Sequence, residues 1–143
     1  MRRSARVAAA ALGAAAALAS VLTPSLSRSS PPTLYTAGQA RAGADVYVKS
    51  CAGCHGVKLE GGAGPPLSGP NMVTLGTKTN LKVGELFGYM TTNMPMNEPA
   101  SLSRDQYVQV LAYILQRNGY PPGSKPLTYA QAESSKVTMT SYK

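Results

Sequence analysis

The tightest constraint on this chain is five residues long. Cys51-Ala52-Gly53-Cys54-His55 gathers both cysteines and the single histidine of a 143-residue protein into one C-x-x-C-H cluster. Any site built from thiolate or imidazole must therefore be built at this point of the sequence. Three chemistries compete with one another there. A zinc site normally takes four N, S or O protein ligands, and the cluster supplies three with no second Cys or His group to complete it. A thioredoxin-like dithiol belongs in a strand-then-helix pattern, which the flanking sequence lacks. A structural disulfide is compatible with an exported protein, but it leaves His55 without a task.

A fourth reading uses all three side chains: C-x-x-C-H is the attachment sequence for c-type haem. Two intervening residues let both thiols reach the two vinyl groups on one porphyrin edge, and the adjacent imidazole is carried under the iron. The expectation is one covalent haem c held by Cys51 and Cys54, with His55 as an iron ligand. Composition points the same way, because the chain has no Trp and a single Phe, Phe87. A domain this small with so few large apolar side chains is short of interior, and a buried macrocycle supplies that volume.

The second axial ligand has to come from elsewhere. Candidates downstream of the N-terminal segment are Met72, Met90, Met94, Met96 and Met139. Methionine is more often core filler than ligand. Met94 stands out because it follows a predicted helix and precedes Pro95, on a loop long enough to return to the far face of a haem, and Met/His pairs serve as axial ligands in cytochromes c. Met96 shares much of that setting and is the rival. The expected metal ligands are His55 and Met94.

At the N-terminus Arg2, Arg3 and Arg6 precede an uncharged, alanine-rich run over residues 7–22, the layout of a secretory signal peptide. Cleavage is expected after Ala19 or after Ser27. Residues 1–27 then hold the leader and the start of a Ser/Pro-rich linker, residues 28–143 form one domain, and the protein is periplasmic. The alternative is a retained membrane anchor, although the run falls slightly short of the roughly 20 apolar residues that span a bilayer. Cutting after Ala19 lowers the formal net charge from +8 to +5. That charge is scattered rather than gathered into a basic stripe, which argues against a nucleic-acid partner.

Helical spacing dominates the rest, and no segment alternates at period two, so the domain is expected to be all-α. Thr36 and Gln39 have capping-box spacing, and Ala40, Gly43, Ala44, Tyr47, Val48 and Cys51 then recur on one helical face that ends at the cysteine motif. Residues 56–76, broken by Gly61-Gly62, Gly64-Pro65-Pro66 and Gly69-Pro70, read as loop. A short helix is predicted over 82–92, stopped at Met94-Pro95. The last helix is predicted over 104–117, with Ser103 and Gln106 as a second capping box, an apolar stripe of Tyr107, Val110, Leu111, Ile114 and Leu115, and Asn118-Gly119 as its stop. The polar tail beyond Tyr120-Pro121-Pro122-Gly123 is expected to wrap the surface with little regular structure.

These elements together resemble class I c-type cytochromes, most closely the small periplasmic monohaem cytochromes or cytochrome subunits that work beside bacterial quinoprotein dehydrogenases and respiratory oxidases. The resemblance runs through Gln39-Ala40-x-x-Gly43, Tyr47, the C-x-x-C-H motif with Gly56, Gly64-Pro65-Pro66-Leu67, Met94-Pro95, Leu102-Ser103, Tyr107, Ala112-Tyr113-Ile114-Leu115 and Asn118-Gly119. It implies the class I cytochrome c fold, with three main helices and loops around one haem. It implies that the first and last helices cross, with Gly43 and Tyr113 as contact positions. It also implies that the Pro65 carbonyl accepts a hydrogen bond from the His55 ring N–H and so belongs to the haem site, and it favours Met94 over Met96 as the methionine directly before a proline.

The function expected is electron transfer, from a dehydrogenase donor towards a terminal oxidase or other acceptor in a respiratory chain, without enzymatic activity. Lys49, Lys58, Lys78 and Lys82 are candidates for a docking surface facing an acidic partner. Two alternatives remain open from sequence. One is a dedicated haem subunit of a dehydrogenase complex. The other is a gas-binding or peroxidase-like haem protein, which the absence of a second histidine disfavours.

Overall fold

A computed structural model of the chain describes residues 30–142. The expected leader and both cleavage points, after Ala19 or Ser27, lie outside the described residues. Among the described residues six helices follow one another: α1 (Ala37–Ser50), α2 (Ala52–His55), α3 (Pro70–Thr79), α4 (Val83–Asn93), α5 (Arg104–Arg117) and α6 (Tyr129–Glu133). Among the described residues only two isolated β-bridges occur, Thr36 with Gly123 and Lys82 with Thr138. The domain is all-α, with α1, α4 and α5 as its main helices.

Local chemistry explains where the long helices begin. Thr36 and Gln39 form a reciprocal capping box at α1, and Ser103 and Gln106 form another at α5, each satisfying backbone donors that the first turn leaves free. Helix α5 then buries Tyr107, Val110, Leu111, Ile114 and Leu115 along one stripe. Its main packing partner is α1. The two backbones meet at Gly43, where a Cβ would collide with the Gln109 carbonyl. Glycine is required there for close approach rather than for flexibility. Tyr113, the other expected contact position, packs its ring on Tyr47 of α1 at a centroid distance of 5.3 Å.

Two segments depart from the expectations drawn from sequence. Residues 56–76 were expected to be loop, but α3 starts at Pro70 after Gly69, which has φ 81. Proline at the first helical position needs no partner for its missing N–H and has its φ preset for a helix, so Gly69-Pro70 starts a helix here instead of breaking one. The tail is also more ordered than its polarity suggests. It forms α6, whose Tyr129 meets Phe87 of α4 edge-on at 4.9 Å, and then lies along the α3–α4 junction. Met139 is fully buried, its N–H donates to the Leu81 carbonyl at 2.7 Å, and Gly76 leaves room for its backbone.

Gln39 ties the tail to the start of α1. Its Nε2 donates to the Leu127 carbonyl at 2.8 Å, and its Oε1 accepts from the Leu127 N–H at 2.9 Å as well as from the Thr36 N–H at 3.1 Å. One amide thus caps a helix and anchors a segment 88 residues away.

Candidate functional site

Helix α1 ends at Cys51, whose N–H donates to the Tyr47 carbonyl at 2.8 Å, and the single turn of α2 carries the chain to His55. Both thiols are unpaired, Cys51 half-buried and Cys54 exposed. Burial pushes the Cys51 thiol up to about 11, with Cys54 adding to the shift. It is therefore a neutral thiol at physiological pH, unlike the low-pKa thiolates of dithiol redox enzymes. Among the described residues no group of three or more His, Cys, Asp or Glu side chains is placed to hold a metal ion.

His55 is only 8 % exposed. Its Nδ1 lies 2.8 Å from the carbonyl oxygen of Pro65. A carbonyl can only accept, so Nδ1 carries the proton and the free lone pair of the neutral imidazole sits on Nε2. Such a partner fixes ring orientation and raises ligand basicity.

The loop that delivers Pro65 is tightly laced to the motif. The Gly61 N–H donates to the His55 carbonyl at 2.8 Å, the Gly64 N–H to the Cys54 carbonyl at 2.9 Å, and the Leu67 N–H to the Leu59 carbonyl at 2.9 Å. Gly64 lies against the imidazole itself, where a Cβ would come within 2.8 Å of Cε1. The far end of the loop hangs from α5 through Asn118, whose Nδ2 donates to the Leu67 carbonyl at 2.9 Å.

Cys51, Cys54, His55 and Pro65 are thus brought together as one hydrogen-bonded cluster. Met94 stands outside that cluster, as the C-cap of α4. Its N–H donates to the Met90 carbonyl at 3.1 Å, and its carbonyl accepts from the Tyr107 hydroxyl at 2.5 Å. The five candidate methionines separate by environment. Met72, Met90 and Met139 are buried in the core, Met96 is 72 % exposed, and Met94 lies between these extremes. Of the four lysines, Lys49, Lys58 and Lys78 are exposed. Lys82 instead spends its ammonium on Asn80 Oδ1 at 2.7 Å and Thr138 Oγ1 at 2.8 Å, so it anchors the tail.

A family model described as cytochrome c oxidase, cbb3-type, subunit III matches residues 38–114, a span that runs from α1 through the cysteine motif to Ile114 in α5. The chain belongs to this family of c-type cytochromes. As such the cytochrome binds haem c covalently and works in electron transfer. A chain of the sulfane dehydrogenase SoxCD from Paracoccus pantotrophus shares the fold, with a TM-score of 0.52 and 23% identity over 70% of the cytochrome and 52% of that chain. The cytochrome therefore spans about half the length of that solved chain. No curated protein sequence matches it.

The residues present fit a covalent haem. Two unpaired thiols at C-x-x-C spacing are available for the thioether bonds, and the adjacent imidazole carries its lone pair on the nitrogen that Pro65 leaves free. Three residues that the sequence gave no site role touch candidate site residues or the loop that carries one. Gly64 was visible only inside a Gly/Pro run, Asn118 only as a helix stop, and Tyr107 only as part of an apolar stripe. Each acts through a partner more than eight residues away, which no local pattern reveals.

Proposed function

We propose that the cytochrome is an exported, periplasmic single-haem electron carrier with His55 and Met94 as axial ligands, passing electrons from a dehydrogenase towards a terminal oxidase. When bound, the haem supplies one-electron chemistry, its iron alternating between the ferric and ferrous states. Everything else falls to the chain. Cys51 and Cys54 prevent loss of the group, and the Pro65 carbonyl holds the His55 ring in register. Met94 would supply the second protein ligand to the bound haem, which would keep substrates off the metal, and a thioether there would favour the ferrous state and raise the potential. No second histidine exists to serve as a distal acid or base, which supports a carrier over a peroxidase-like enzyme. Exposed Lys49, Lys58 and Lys78 suit an acidic redox partner.

The observation that carries this reading is the His55–Pro65 contact, because it commits Nδ1 and presents Nε2 as the ligand atom. A pyridine haemochrome spectrum on purified protein, followed by carbon monoxide addition to the reduced form, tests it. A c-type spectrum with no rapid CO binding is expected. Rapid stoichiometric binding would show an open axial position and overturn the carrier reading. A colourless product from cells competent in cytochrome maturation would remove its basis altogether.

A second reading is a haem subunit of a dehydrogenase complex, favoured by the fold shared with a chain of SoxCD. Size-exclusion chromatography of native extract distinguishes the two, since a carrier elutes alone and a subunit co-elutes with a dehydrogenase. Among the described residues no helix is long and apolar enough to cross a membrane.

A further inference from the structure

Met94 is held on one side by its own helix and on the other by a single hydroxyl. Its N–H closes the last turn of α4 on Met90, while Tyr107, 4 % exposed in the first turns of α5, donates to its carbonyl. Beyond Met94 the backbone has little other support. Pro95 has no N–H to give, and residues 96–101 form exposed turns whose backbone hydrogen bonds, Glu98 N–H to Pro95 and Ser101 N–H to Glu98, are internal to the segment. The Tyr107 hydroxyl is therefore what ties the Met94 carbonyl to α5. Tyr107 is in turn fixed, because its own N–H donates to the Ser103 carbonyl at 3.0 Å at the capped start of α5.

We infer that Tyr107 is a positioning residue for axial ligation, holding the Met94 carbonyl so that the thioether stays committed to the iron and is not readily displaced by other ligands. The inference rests on the reading of Met94 as the sixth ligand. It also accounts for the choice between two thioethers two residues apart: Met94 has both backbone polar groups secured, whereas Met96 is exposed on the turn segment.

Tyr107→Phe removes one oxygen and keeps the ring, so the packing of α5 is preserved. Ferric holoprotein titrated with imidazole reads displacement of the sixth ligand directly, through loss of the sulfur-to-iron absorption band. The expected result is an apparent imidazole affinity about fivefold to tenfold higher in the variant, the factor that one hydrogen bond of ordinary net strength corresponds to. Unchanged imidazole affinity, with or without a lowered thermal midpoint, would make the hydroxyl merely structural and overturn the inference. Met94→Ala runs alongside. If it abolishes the band, the ligand reading stands and the Tyr107 result is decisive by itself. If the band survives Met94→Ala and is lost in Met96→Ala, the ligand reading and the inference fall together.

Discussion

Asn118 and Leu67 are joined by a hydrogen bond from the Asn118 Nδ2 to the Leu67 carbonyl at 2.9 Å. The same amide nitrogen donates to the Ile114 carbonyl at 2.8 Å, which fixes the orientation of the side chain, because an oxygen facing two carbonyls would be repelled. The cost is an Asn118 Oδ1 buried without a hydrogen-bond partner. The backbone carbonyl of Asn118 meanwhile accepts from the Tyr142 N–H at 2.9 Å. One fully buried residue thus links the end of α5, the loop that orients His55 and the C-terminal tail.

Replacing it tests that link. Asn118→Ala leaves the Leu67 carbonyl without its partner, while Ile114 keeps the backbone bond from the residue 118 N–H. The expected loss is about 1–3 kcal/mol of stability in urea unfolding of the holoprotein. Exchange of the Leu67 amide should accelerate with it, since that proton reports opening of the loop.

Gly64 tests how closely the loop grips the imidazole. An alanine Cβ would stand 2.8 Å from His55 Cε1, and the ring cannot yield without lengthening its bond to Pro65. Overpacking of this kind costs about 1–3 kcal/mol. A weakened Nδ1–H bond makes His55 a poorer electron donor to the metal, so Gly64→Ala should also raise the midpoint in a redox titration.

Met139 separates a structural thioether from a ligating one. It is fully buried where the tail crosses α3 and α4, and truncating a buried methionine costs about 2–5 kcal/mol. Met139→Ala is expected to lower the unfolding free energy in urea by that amount while leaving the sulfur-to-iron band intact. Loss of the band would identify a ligand where packing places core.

The buried tyrosines set the alkaline limit. Burial pushes the phenols of Tyr35 and Tyr120 above their ordinary value of 10.0. Their neutral forms are therefore favoured by folding, and that stability is complete below about pH 10 and lost as pH rises towards the raised folded values. The urea midpoint should therefore hold up to about pH 10 and fall as the pH is raised beyond it. Tyr35→Phe should start lower at neutral pH, having lost the hydroxyl bond to the Tyr120 carbonyl at 2.6 Å, and then fall less steeply.

The sequence by itself determined what depends on neighbours within a few residues. The C-x-x-C-H cluster named its cofactor, and the two capping boxes placed the starts of α1 and α5, because a capping interaction closes within one turn of chain. It also marked Met94 as distinctive through the adjacent proline. It misjudged α3, where Gly-Pro has two local meanings and only the fold chooses between them. Tertiary structure alone decided that Gly43 faces the Gln109 backbone, that Lys82 serves the tail, that Asn118 holds the loop orienting His55 and that Tyr107 holds the Met94 carbonyl. These contacts join atoms 13 to 66 residues apart, and a side chain's partner at that range is set by how helices cross, a property of the packed whole that no stretch of sequence carries on its own.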